Sequence, residues 1–367
     1  MVQLATGLIA LSVLTGFLAL LLEVADSCFA DYGDVRIDIN QGDKVLTVEG
    51  GNKLLPSLMD QGIFIPSACG GRGSCGLCKV KVAEGGGPTL PTETPYLDDQ
   101  ELQDHVRLSC QVKVRSDIRM EIPPELFLVK EFQTKVISLQ DLTEYIKEVR
   151  LELLEPAEMA FKPGQYIHFE VPEYKGSPEP IYRAYSIASP ARTNNQIKLV
   201  ITRVPDGLAT TYIHDLLQVD DETKINGPYG EFYLRESDRD IIMIVTGSGL
   251  APMISILHQM IDEGISRKTT LFFGVAERRG LFYLDEIEEI KKKLPQLEFV
   301  PVLSAPLPEE NWHGKTGIVT DIVKEMVGNG EDKEAYLCGN PFMIDAAMEL
   351  LPQLGITEDR IYYDKFG

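Results

Sequence analysis

Four cysteines, Cys69, Cys75, Cys78 and Cys110, crowd into one short stretch of a 367-residue chain with six cysteines in all, and their spacing constrains the fold more than any other feature. Three share a tight loop, Cys69-x5-Cys75-x2-Cys78, and the fourth belongs to a later segment. Thiolates arranged in this way hold iron–sulfur clusters. A zinc site more often shows two Cys-x2-Cys knuckles, and only one such pair occurs here, so zinc is the weaker alternative. A disulfide scaffold would be small and secreted, and this chain shows neither sign. The loop runs Cys69-Gly70-Gly71-Arg72-Gly73-Ser74-Cys75-Gly76, and its small residues let backbone N–H groups approach the sulfurs. A [2Fe–2S] centre on Cys69, Cys75, Cys78 and Cys110 is expected.

The chain is too long for one hydrophobic core, which implies two or three folded domains. Its 44% apolar and 25% charged residues are ordinary for globular proteins. A net charge of −21, from 35 Lys+Arg against 56 Asp+Glu, repels phosphate backbones, so no nucleic-acid partner is expected. Met1 to Leu22 carries no charged side chain, and the stretch ends at Glu23. About 20 apolar residues span a bilayer, so residues 1–25 read as a retained transmembrane anchor. The alternative is a signal or lipoprotein segment ending Ala25-Asp26-Ser27-Cys28, but Asp26 fits poorly in a small apolar cleavage run, and Cys28 reads as a bystander. No Lys or Arg precedes this stretch, whereas Arg36, Lys44 and Lys53 follow it. By that bias the folded domains are expected on the cytoplasmic side of the cell inner membrane, on a single-pass chain.

Local patterning divides the rest into three parts. In 33–125, Val35 to Ile39, Val45 to Val48, Lys79 to Val82 and Ser116 to Ile122 read as strands, Leu54 to Gln61 as a short helix and Thr92 to Gln103 as a loop with a helix, a small unit that the resemblance given below implies to be a ferredoxin-like β-grasp domain. In 127–236, period-two runs such as Val149, Leu151, Leu153 and Ile197, Leu199, Ile201 point to an antiparallel β-barrel, interrupted by a helix near Thr210 to Leu217. In 237–367, apolar strands at Ile241–Val245, Leu271–Phe273, Phe299–Leu303 and Tyr336–Cys338 alternate with helical stretches near 252–263, 284–294, 316–327 and 342–351. Such alternation specifies an α/β doubly wound sheet.

Two constellations carry chemistry in these last two parts. Within Arg183-Ala184-Tyr185-Ser186, Arg183 can neutralise a pyrophosphate, Tyr185 can lie flat on an isoalloxazine and the Ser186 hydroxyl can bond its reactive nitrogen; alone, the tetrapeptide is equally a plain barrel strand. Thr246-Gly247-Ser248-Gly249-Leu250-Ala251-Pro252 places glycines where a strand turns into a helix, a geometry that favours a pyrophosphate. Past the next strand, Ala276-Glu277-Arg278-Arg279 is ambiguous, because Glu277 suits a free ribose 2′-hydroxyl and the arginines suit a 2′-phosphate. Cys338, in Leu337-Cys338-Gly339-Asn340-Pro341, reads by itself as a small buried residue.

Read together, the segments Ala68-Cys69-Gly70-Gly71, Ser74-Cys75-Gly76, Glu84-Gly85-Gly86-Gly87, Leu90-Pro91-Thr92-Glu93 and Arg107-Leu108-Ser109-Cys110-Gln111-Val112 resemble the ferredoxin domain of the F subunits of Na+-translocating NADH:quinone reductases. Lys162-Pro163-Gly164-Gln165-Tyr166, Arg183-Ala184-Tyr185-Ser186 and Gly227-Pro228-Tyr229-Gly230-Glu231-Phe232 are similar to the ferredoxin–NADP+ reductase superfamily, and the order of parts follows those F subunits to residue 367. The resemblance implies FAD, ahead of FMN, on Arg183, Tyr185, Ser186, Gly207, Thr210 and Thr211. It implies NADH on Gly247, Gly249, Pro252, Gly339 and Pro341, with Cys338 beneath the nicotinamide and Phe366 over the flavin face. Ser186, Cys338 and Phe366 would then be the catalytic residues. Electrons would run from NADH through FAD and the cluster to membrane redox subunits of a respiratory complex, and indirectly to quinone. This chain is short between Gly164 and Arg183, where the family commonly carries an insertion, which leaves the acceptor open. The rivals are the reductase component of a di-iron or ring-hydroxylating oxygenase, and a redox-sensing scaffold without turnover.

Overall fold

Alternating residues from Asp34 onward give the first strands of the computed structural model, which describes residues 15–16, 32–67 and 69–365. Contacts divide the chain into two compact units, the first comprising residues up to Ile65 together with Gly71–Leu128, the second Pro66–Gly70 together with Val129 onward. In the first unit β1 (Asp34–Ile39) and β2 (Lys44–Glu49) form a hairpin. Its turn uses Asn40 and Gln41 in the left-handed region and Gly42 at φ 104°. Then come α1 (Leu54–Met59), β3 (Lys79–Glu84), α2 (Asp99–Gln103), β4 (Val106–Leu108) and β5 (Ile118–Glu121). The sheet order is β2-β1-β5-β3-β4, with β5 parallel to β1. Leu54, Leu55 and Leu58 of α1 share one core with Val35, Ile37, Ile39 and Val80. Helix α2 starts where Asp98 accepts the Glu101 N–H and Glu101 returns to the Asp98 N–H, a capping box.

The second unit contains two sheets. Strands β6 (Lys130–Asp141), β7 (Ile146–Glu155), β8 (Tyr166–Val171), β9 (Ile181–Ser186), β10 (Gln196–Thr202) and β11 (Glu222–Tyr229) lie in the order β10-β7-β6-β11-β8-β9, each pair antiparallel. A bridge between Ile187 and Leu199 joins the two ends, so the sheet closes as a barrel. Helix α3 (Leu208–Thr211) continues as one wider turn, Tyr212–Leu216.

The other sheet is parallel throughout, in the order β15-β14-β13-β12-β16-β17. Its elements are β12 (Asp240–Thr246), α4 (Leu250–Asp262), β13 (Thr269–Val275), α5 (Leu284–Lys293), β14 (Leu297–Leu303), β15 (Lys315–Thr316), α6 (Val319–Val327), β16 (Lys333–Gly339), α7 (Pro341–Gln353) and β17 (Ile361–Lys365). Side-chain alternation separates its two faces. Met243 and Val245 share a core with Met253, Ile256 and Ile287 of α4 and α5, while Ile242 and Ile244 share another with Val323, Ile344 and Ala347 of α6 and α7. The sheet is therefore covered on both sides. From β12 the strand order runs one way to β13 and the other way to β16, so the carboxyl end of β12 is the switch point where open α/β sheets bind ligands.

Three strands go beyond the sequence expectation. β4 and β15 are three and two residues long, too short for an alternation to register. β17 carries a Tyr-Tyr-Asp-Lys run whose strand character comes from pairing with β16. The helix expected from 316 starts at Val319, because Lys315 and Thr316 pair with Val302 and Leu303. The anchor expected at 1–25 lies, apart from residues 15 and 16, outside the described residues, as do Cys28 and Phe366. Among the described residues no helix is long and apolar enough to cross a membrane.

Candidate functional site

Cys78 immediately precedes β3 and Cys110 follows β4, and the antiparallel pairing of these strands (Lys79 with Leu108) brings the two buried thiols into a shared hydrogen bond. That contact, followed by burial, pushes the Cys78 thiol far above its ordinary range. A metal centre displaces such a shared proton and takes both sulfurs as thiolates. The Gln111 amide donates to Cys110 Sγ at 3.4 Å. Cys75 is half-buried, and Cys69 is buried on the Pro66–Gly70 segment, which groups with the second unit. Among the described residues no three His, Cys, Asp or Glu side chains stand in a metal-binding arrangement, and within the first unit the geometry unites Cys78 with Cys110. The donor chemistry nonetheless fits soft iron. Gly70, Gly71, Gly73 and Gly76, at φ 63°, 84°, 78° and 70°, give the loop left-handed turns that other residues resist.

The loop before β4 is held by a buried ion pair that sequence reasoning did not assign. Arg107 reaches Glu93 at 2.7 Å and donates to the carbonyls of Gly86, Gly87 and Pro88. Glu93 also accepts the N–H groups of Leu90 and Leu108. Burial works to raise the Glu93 carboxyl, but Arg107 and these amides outweigh it and hold the group below its usual range.

Within the second unit, Ser67 donates its N–H to His168 Nε2 at 3.2 Å. The His168 ring lies 4.4 Å from that of Tyr229 and 5.8 Å from that of Tyr166, and burial lowers its pKa to about 4, so it accepts as a neutral imidazole. A Cβ on Gly70 would stand 2.2 Å from Arg183 Nη1 and 2.5 Å from the Tyr182 carbonyl. The segment bearing Cys69 therefore lies against β8 and β9. A histidine inside an alternating strand carried no signal of this in the sequence.

The β8–β9 pairing sets Ser186 opposite Tyr166, Tyr185 opposite Ile167 and Arg183 opposite Phe169. Ser186 is 4% exposed and its Oγ has no partner, an orphaned buried hydroxyl of the kind a ligand completes. Burial also pushes the Tyr185 phenol up. Thr210 sits in the turn that opens α3. Its Oγ1 donates toward the Val204 and Gly207 carbonyls and accepts the Val204 N–H, shaping the turn that opens α3. A Cβ on Gly207 would meet that same oxygen at 2.6 Å, while Thr211, half-buried, follows in the helix. An unpartnered hydroxyl beside an arginine and a tyrosine on one strand fits a flavin.

At the end of β12, two loops press together. A Cβ on Gly249 would lie 2.2 Å from the Cys338 carbonyl, and one on Gly339 (φ 128°) 2.4 Å from Thr246 Oγ1. The Asn340 N–H donates to Thr246 Oγ1 at 2.9 Å, and the Thr202 hydroxyl, from the barrel, donates to Ser248 at 2.9 Å. Pro252 is buried in the first turn of α4, where a missing N–H costs nothing. Pro341 starts α7 in the same way, and Asn340 caps it by accepting the Phe342 N–H. Cys338 is fully buried, and burial, then the nearby Asp364 carboxylate, keep its thiol neutral. Asp364 stands opposite Cys338 across β16 and β17, and burial raises its carboxyl to about 6.

Three family models match successive parts of the chain. The 2Fe-2S iron-sulfur cluster binding domain matches residues 37–115, the oxidoreductase FAD-binding domain 133–233 and the oxidoreductase NAD-binding domain 243–349. The F subunit of the Na(+)-translocating NADH-quinone reductase of Neisseria meningitidis is 36% identical over 405 aligned positions, with 100% of each chain covered. The chain belongs to the family of these F subunits. Its Haemophilus influenzae relative is 35% identical, covering 100% of this chain and 99% of that one. As a member of that family the chain is an oxidoreductase built from [2Fe–2S], FAD and NAD domains. Among solved structures, an Amycolatopsis cytochrome P450 reductase aligns with a TM-score of 0.73 at 28% identity, covering 90% of this chain and 98% of its own. The ferredoxin reductase of a carbazole 1,9a-dioxygenase aligns at 0.70 and 25%, covering 91% and 98%.

Proposed function

We propose that the chain oxidises NADH and passes the electrons singly, by way of FAD and a [2Fe–2S] cluster, to membrane redox subunits of a respiratory complex, with quinone the eventual acceptor. The observation that carries this reading is the buried, unpartnered Ser186 hydroxyl on the strand that also bears Arg183 and Tyr185. When bound, the flavin takes electrons in pairs and releases them one at a time, and the cluster carries single electrons. The chain's own residues supply position and field. Arg183 would offset the pyrophosphate, Tyr185 would cover the ring, and Ser186 would present its hydroxyl to the reacting edge, with Gly207, Thr210 and Thr211 on the adjoining turn. Gly247 and Gly249, ahead of Pro252 at the start of α4, bring backbone N–H groups to the dinucleotide. Cys338, Gly339 and Pro341 would form a dry wall for the nicotinamide, and Phe366, by the family resemblance, would cover the flavin face in its absence. Cys69, Cys75, Cys78 and Cys110 ligate the cluster. The domains run 33–125, 127–236 and 237–367, behind an anchor at 1–25 that holds them on the cytoplasmic side of the inner membrane.

An anaerobic NADH titration of the loaded protein, followed by flavin absorbance and electron paramagnetic resonance, tests the electron route. Flavin bleaching followed by a reduced [2Fe–2S] signal is the expected course; a cluster that stays oxidised beside a bleached flavin would defeat it. A second reading, the reductase component of an oxygenase, is favoured by the likeness to the carbazole dioxygenase and P450 reductases. Membrane fractionation of the full-length chain separates the two, since the first requires sedimentation with membranes.

A further inference from the structure

In a parallel sheet, the strand beside the glycine-loop strand ends next to the adenosine ribose, and the residues just past its tip read the 2′ position. Here that strand is β13, which pairs with β12 up to Thr246 and Gly274. Its tip carries Glu277, Arg278 and Arg279, and free arginines there would attract a 2′-phosphate. Both are already engaged. Arg279 donates from Nε to Glu277 Oε2 at 2.6 Å and from Nη1 to Glu144 Oε2 at 3.2 Å. Glu144 comes from the β6–β7 turn of the barrel. The Arg278 N–H meets Glu310 Oε1 at 2.9 Å and its Nη1 meets the Glu310 carbonyl at 3.3 Å, while Glu310 Oε2 accepts the Leu307 N–H at 3.0 Å.

We propose that Glu144 and Glu277, which occupy the Arg279 guanidinium, form with the Glu310 carboxylate on the Arg278 N–H an anionic collar that selects NADH over NADPH, so that a barrel residue, Glu144, is a determinant of nucleotide choice. The inference rests on the NADH-oxidising reading and deepens it. Three carboxylates against two guanidinium groups leave the tip negative. A 2′-phosphate, itself carrying nearly two negative charges, would have to break charge-assisted bonds to gain an arginine. Glu277 Oε1 remains to accept from a free 2′-hydroxyl. The Arg279–Glu144 pair is solvent-exposed, with side chains 64% and 58% accessible, and such pairs contribute little to stability. Carboxamide variants are therefore expected to fold.

The test is equilibrium binding of 5′-ADP and 2′,5′-ADP to the loaded full-length protein, alongside flavin reduction by NADH and NADPH. The unaltered protein should bind 2′,5′-ADP at least about tenfold more weakly than 5′-ADP. Combining Glu144→Gln with Glu277→Gln should narrow that gap at least about tenfold by tightening 2′,5′-ADP, and adding Arg279→Ala should abolish the gain. Equal affinities in the unaltered protein, or a gap unmoved in the double variant, would overturn the collar. Failure of the electron-transfer reading has a different signature, in which neither dinucleotide bleaches the flavin whatever the ADP affinities.

Discussion

Ser186 and Asp364 make predictions that single substitutions can reach. Ser186→Ala removes a hydroxyl that has no protein partner, so stability should hardly change, because no bond is lost and no group is stranded. Hydride transfer should slow by about a hundredfold if the hydroxyl meets the reacting edge of the flavin, a magnitude typical of one preorganised donor; stopped-flow flavin bleaching measures it. For Asp364 the folded carboxyl titrates near 6, above its unfolded value. The folded state thus holds the proton more tightly, and stability falls as pH rises from the unfolded pKa through about 6. Asp364→Asn should flatten that fall and raise stability by about 2 kcal/mol near neutrality, read from urea midpoints on either side of the transition. Ser186 and Cys338 stood out in the sequence as candidates because short motifs surround them. His168 and Glu144 were not, since their partners lie 101 and 135 residues away and nothing local announces them.

Elements were readable where period and length agreed. The Ile241–Val245 run came through because it is apolar throughout and buried on both faces, and the 284–294 helix because it buries one regular face, whereas β4, β15 and β17 exist only by virtue of neighbours already in place. The Gly86–Glu93 loop illustrates the same limit, because its shape comes from Arg107, a β4 side chain whose partners at Gly86 and Glu93 lie outside its local sequence. Arg107→Ala would leave the Glu93 carboxylate buried beside empty space and should destabilise the first unit by about 3–5 kcal/mol. Urea unfolding followed by cluster absorbance should show the loss. Since Glu93 is held below its unfolded pKa, the pair's contribution is present at neutral pH and disappears as pH falls through the folded value, so the variant's deficit should shrink in acid.

For the whole molecule, the order of cluster, flavin and nucleotide domains was legible because each has a motif set into a distinct hydrophobic period. The grouping of Pro66–Gly70 with the second unit was not, being a property of packing alone. A net charge of −21 also bears on where electrons go. A cationic one-electron acceptor should be reduced faster than an anionic one of similar potential at low salt, and the advantage should collapse at about 0.5 M salt, as screening shortens the reach of the field. Steady-state dye reduction at graded ionic strength checks this.

The cradle at the end of β12 also carries a kinetic consequence. Thr246 and Asn340, which hold its two loops together, are 94 residues apart in the chain. Contacts so remote close late, because the loop entropy must be lost before the bond can form. On dilution from denaturant, helical circular dichroism should return first and the capacity to bind NADH only afterwards, leaving an interval in which the sheet exists and the enzyme cannot yet recognise its substrate.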